Sequence, residues 1–161
     1  MRIRLETCAR IAEIAGAVAV VLSVIYLAVQ ISHNTRLLRS QAHFNAITLG
    51  QRPLELMVEN ENLAEVMQRC NQRTAEVAEA DWERCLNYYF MQFNAWEYFY
   101  YQHGDEAIPK ELWVGADAYF KSLMPIKPGF HRAWNEIAVG FDEPFRSYVT
   151  AEFAKTAAPA K

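Results

Sequence analysis

His33, His43, His103 and His131 are the chain's four imidazoles, and their spacing argues against compact metal chemistry on a helix. No two stand four residues apart and none follows a glutamate by three. Neither H-x-x-x-H nor E-x-x-H is therefore available to put zinc or di-iron ligands on consecutive helical turns. Cys8, Cys70 and Cys85 form an odd set with no C-x-x-C pair and no histidine at ligand spacing. They read as free, mostly buried thiols. A bridge between Cys70 and Cys85 is the alternative if the domain faces an oxidising compartment. G-x-S-x-G, the P-loop and G-x-G-x-x-G are all absent from the sequence, so no catalytic residue, metal or cofactor is assigned.

One carboxylate stands out by its neighbours. Glu97 lies inside the run W-E-Y-F-Y-Y, where a buried charge needs an arginine, Arg132 or Arg146, or must take up a proton. Structural pairing is the expected role. Trp96, Glu97, Tyr100, Arg132 and Trp134 are the candidate pocket or buried polar group.

These residues need elements to hold them. Ile14 to Ser32 reads IAGAVAVVLSVIYLAVQIS, with no Asp, Glu, Lys or Arg. As a helix that is roughly 28 Å, against ~30 Å of bilayer hydrocarbon. Bulky residues at its exit argue for an uncleaved anchor rather than a signal peptide. Arg2, Arg4 and Arg10 precede the span and Arg36, Arg39 and Arg52 follow it, so the charge bias that sets orientation nearly cancels. Ala12, Ala15, Gly16, Ala19 and Ser23 recur three and four apart, a small face of the kind on which membrane helices associate. Glu13 reads as an interfacial acid near the helix start.

Apolar spacing predicts that this helix continues through Leu38, Ala42, Asn45 and Leu49, with Leu37, Phe44 and Ile47 beside them, and stops at Gly50 and Pro53. A second helix is expected from Pro53, with Asn60 and Asn62 as possible breaks and N-Q-R-T (71–74) as its polar end. The strongest pattern runs from Glu79 to His103: Trp82, Leu86, Tyr89, Phe93, Trp96 and Tyr100 alternate four and three apart, the seam of packed helices. Tyr88, Phe90, Tyr98, Phe99 and Tyr101 lie off that seam. Further helices are expected after Pro109, from Gly129 to Val139 and from Glu143 to Phe153. The expected fold is all-α: a polar tail (1–13), one transmembrane helix (14–32) continuing into a small helical bundle (33–153), and a mobile tail (154–161).

The stretch from Glu13 to Arg36 resembles the opening of a group of uncharacterised bacterial single-span proteins that read E-I-x-G-A-x-A-V-V-x-S-x-x-Y-L-A-V-Q-I-x-x-N-T-R. The likeness continues through Leu112 and Trp113, the R-A-W-x-E at Arg132 to Glu136, and Phe141, Phe145 and Arg146. The resemblance implies a bacterial inner membrane location with a cytoplasmic domain, and no activity comes with it. Arg2, Arg4 and Arg10 depart from the neutral or acidic N-terminus usual in that group.

A net charge of −3 offers no basic face for nucleic acid, which is not expected as a partner. The expected function is a non-enzymatic, membrane-anchored interaction or accessory subunit, whose partners are the bilayer and either a second copy or a larger membrane complex. The alternative is a small-molecule or lipid sensor with an aromatic-lined pocket.

Overall fold

The computed structural model describes residues 2–72 and 77–157. Among them are six α-helices and no strand: α1 (Arg2–Glu59), α2 (Glu61–Gln72), α3 (Glu79–Gly104), α4 (Lys110–Leu123), α5 (Pro128–Ile137) and α6 (Phe145–Ala157), with a 3-10 turn at Ala138–Gly140. The chain divides into two compact units, Met1–Ser40 and Gln41–Lys161. The all-α fold expected from the sequence is the one observed.

The first unit is helix alone. Val18, Leu22, Ile25 and Val29 are exposed, as are the residues between them. A helix that is apolar all round has no polar face to give to water. By length and composition it can cross a membrane.

The second unit is a bundle around α3, which packs on α2, α4 and α5. The expected seam is the core: Trp82, Tyr89, Phe93 and Trp96 are buried, and Leu86 and Tyr100 are half-buried. The off-seam aromatics also find neighbours. Tyr88 and Phe99 are buried, so helices wrap α3 on more than one side and only Phe90 is exposed among that set. Phe93 is the centre, stacked on Phe130 at 4.3 Å between centroids and tilted against Trp134 at 4.8 Å.

Three boundaries differ from expectation. α1 does not stop at Gly50 and Pro53 but runs to Glu59 with Pro53 inside it. Proline removes one backbone donor from a helix and crowds the preceding turn. Here its ring is buried in the bundle, which offsets that loss. Gly50 lies beside the Phe99 ring, where a Cβ would stand 3.4 Å from Cε2, an ordinary contact distance. The chain turns at Asn60 instead. Its Oδ1 accepts the Leu63 backbone N–H at 2.9 Å, making it the N-cap of α2. Finally, α6 continues to Ala157, four residues into the stretch expected to be a tail; residues 158–161 lie outside the described residues, as do 73 and 74 of N-Q-R-T.

The residues expected at helical spacing along residues 37–49 of α1 differ in burial, with Asn45 and Ile47 half-buried. Ala42 and Ala46 are buried, whereas Leu37, Leu38, Phe44 and Leu49 are exposed. Within the second unit, Ala42 and Ala46 allow close approach of this end of α1 to the bundle, and Phe44 and Leu49 are left on the outside.

Candidate functional site

The indole N–H groups organise the polar interior. A buried indole donor must be paired, because burying it unpaired costs about 1–3 kcal/mol. Trp96 donates to Asp117 Oδ1 at 3.1 Å, Trp82 donates to Glu136 Oε2 at 3.0 Å, and Trp134 donates to Thr150 Oγ1 at 3.1 Å. Each of these bonds joins two helices. Trp113 instead lies flat on His103, with centroids 5.4 Å apart and planes 8° from parallel.

The densest of these clusters surrounds Asp117 on α4. Tyr148 donates its hydroxyl to Asp117 Oδ1 at 2.6 Å, and Lys121 Nζ stands 2.8 Å from Oδ2. Lys121 also reaches Glu152 at 3.6 Å and lies 5.0 Å from the Tyr148 ring centroid. Burial first, and then the bond to Asp117, push the Tyr148 phenol up to about 12. Burial pulls the Lys121 ammonium down, but its bonds to Asp117 and Tyr148 outweigh that and hold it above its ordinary value. Both groups keep their protons through the neutral range. With Trp96 and Glu152 on the same network, these bonds clamp α3, α4 and α6 together. A second clamp sits around Trp82, where the Arg132 guanidinium covers the ring at 3.7 Å and Arg132 Nε reaches Glu136 at 3.0 Å.

The five residues expected to form a pocket fall into separate settings. Trp96, Tyr100 and Trp134 meet around Phe145, at centroid distances of 5.9, 5.5 and 6.2 Å, and this is packed core. Arg132 belongs to the Trp82 clamp. Glu97 is half-buried, and desolvation raises its pKa against the opposing effect of the Asp142 backbone N–H; the nearby Asp142 charge raises it further. Arg146, one of its two expected partners, is bonded to Glu143 at 2.9 Å.

The five small residues of α1 are exposed, and Ser23 Oγ donates within the helix to the Ala19 carbonyl at 2.8 Å. A Cβ at Gly16 would meet nothing within 4 Å.

Two cavities were not foreseen. One, of about 320 Å³, is an apolar groove lined by Gly50 and Leu54 of α1, Phe99 of α3, and Gly115, Tyr119 and Phe120 of α4, with Glu111 at its edge. The other, also about 320 Å³, lies beside Met57, Gln68, Asn71 and Lys127. Each draws on segments far apart in the chain. A local sign of the first is the small pair Gly115–Ala116, between the bulky Leu112, Trp113 and Val114 on one side and Tyr119 and Phe120 on the other. Among the described residues no three histidine, cysteine, aspartate or glutamate side chains could together hold a metal ion.

Cys70 and Cys85 are joined by a disulfide, in place of the free thiols expected, while Cys8 is free and exposed. No family model, curated protein or solved structure matches the chain.

Proposed function

We propose that this protein is a single-pass bacterial inner-membrane protein of the uncharacterised group its opening resembles, and that it works as a non-enzymatic interaction subunit. The observation that carries this reading is the exposed apolar surface of α1 beyond the residues that fit a bilayer. Leu37, Leu38 and Phe44 are 62, 65 and 70 % exposed. Apolar side chains at helical spacing on a membrane-proximal helix suit a partner helix, and a second copy of the chain supplies one of identical length and pattern. The small face at Ala15, Ala19 and Ser23 suits the same association within the bilayer. Gentle detergent extraction followed by native mass spectrometry tests this. A stable oligomer, or a retained partner, weakened by Leu38→Glu or Phe44→Glu is expected; a lone monomer would overturn the reading.

A second reading, a small-molecule or lipid sensor, is favoured by the apolar groove at Phe99 and Phe120. Its volume lies at the lower end of the range for ligand sites. The Trp96 ring stacks on Phe120 at 5.2 Å, so its fluorescence reports on occupancy. Titration with a fluorescence-silent alkyl alcohol should shift the tryptophan emission, to which Trp96 contributes, in the native protein and not in Gly115→Leu, which fills the groove.

A further inference from the structure

Cys70 on α2 and Cys85 on α3 are bonded with their Cα atoms 6.5 Å apart, and both are fully buried. The surroundings are built to this pair. Val66 and Met67, from the same turn of α2, are fully buried, and α5 closes over it with Gly129 against the Cys70 carbonyl. Neither sulfur is open to an attacking thiolate, which sets this bridge apart from exposed, exchangeable disulfides that serve as switches. Buried structural disulfides form and persist outside the reducing cytoplasm.

We propose that the helical domain is exported: it folds on the extracytoplasmic side of the membrane, where a thiol–disulfide oxidant installs the Cys70–Cys85 bond. This reverses the cytoplasmic placement that the resemblance implied. The reaction is an exchange. A thiolate of the pair attacks the oxidant's disulfide, and the resulting mixed disulfide is displaced by the second thiolate. The oxidant leaves as a dithiol carrying the two electrons, and the pair loses two protons. Since the folded pair is buried, this happens before α5 closes over α2. The sidedness of the N-terminus rests on the reading that α1 crosses the membrane once. On that reading Cys8 stays on the reducing side, which suits a free, exposed thiol.

The test uses the full chain in bacterial cells, with thiols trapped by N-ethylmaleimide at lysis. In Cys8→Ser, no cysteine should accept a polyethylene-glycol maleimide before reduction of the trapped protein, and two should do so afterwards. Cells lacking the periplasmic thiol oxidant should instead yield two free thiols. In spheroplasts, an impermeant maleimide should label Cys8→Ser/Ala151→Cys directly, and should label wild-type Cys8 only after the membrane is opened. Membrane-bound protein with two free thiols, or Ala151→Cys labelled only after lysis, would overturn export while leaving the anchor intact. Soluble protein carrying the bridge would support export and overturn the anchor. Soluble protein with free thiols would overturn both.

Discussion

The Tyr89 hydroxyl and Gly129 share one space: a Cβ on Gly129 would run into both that hydroxyl and the Cys70 carbonyl. Tyr89 is fixed there because it donates to Asn71 Oδ1 at 2.8 Å. The first turn of α5 is therefore seated on the end of α2 through a residue with no side chain.

Gly129→Ala should destabilise the domain by about 1–3 kcal/mol, the usual range for overpacking a tight site. Gly115→Ala is the control, because a Cβ there meets nothing within 4 Å. It should be neutral or stabilising by up to ~1 kcal/mol, since alanine is the better helix former. Urea denaturation of both variants checks the pair, and equal effects would show that the close approach does not matter.

Replacing Cys70 and Cys85 together by serine should cost roughly 2–4 kcal/mol, the range for a bridge that closes a short loop. Thermal unfolding with and without reductant measures it. Reductant should lower the midpoint of the wild type and leave that of the double variant unchanged.

Glu97→Gln should stabilise the domain at neutral pH, by under about 1 kcal/mol for a half-exposed group. The sign follows from the raised pKa of Glu97. The folded state binds its proton more tightly than the unfolded chain does, so stability falls as pH rises from the unfolded value through the folded one. The advantage of glutamine should accordingly vanish at pH 3 to 4, below the ordinary glutamate range near ~4.3. Urea midpoints across that range decide it, and an advantage independent of pH would refute the argument.

Asp117→Asn should cost about 1–3 kcal/mol, because the amide oxygen can still accept from Trp96 and Tyr148 but an NH2 donor without charge replaces the oxygen that faces Lys121. Adding Lys121→Met should recover part of that loss, as it removes an ammonium left with Glu152 alone, 3.6 Å away. The double-mutant cycle in urea reads the coupling directly.

Helix α3 was legible almost to the residue, because its aromatic seam is dense and polar residues bound it on both sides. The end of α1 was not. Gly50 and Pro53 carry the local signals that stop a helix, and burial of the proline in the bundle outweighed them. Asn60 was visible only as an optional break, since an asparagine reads as a cap once the turn around it is known. The Glu97 environment was partly readable: the aromatic run foretold desolvation, but Asp142 and the Arg146–Glu143 bond lie about 45 residues away and leave no trace in the local spacing. The cysteine pair was left open because pairing depends on the meeting of α2 and α3, and no periodicity within either helix reports it.

The Cys70–Cys85 bond also makes the connection between α2 and α3 redundant as a tether. The bond closes the chain from Cys70 to Cys85 into a covalent ring, so a single cut between the two cysteines would leave a nicked molecule whose two pieces stay joined until reductant is added. A protease site placed in that ring and cut reports, by gel mobility with and without reductant, whether a given population of the protein carries the bridge.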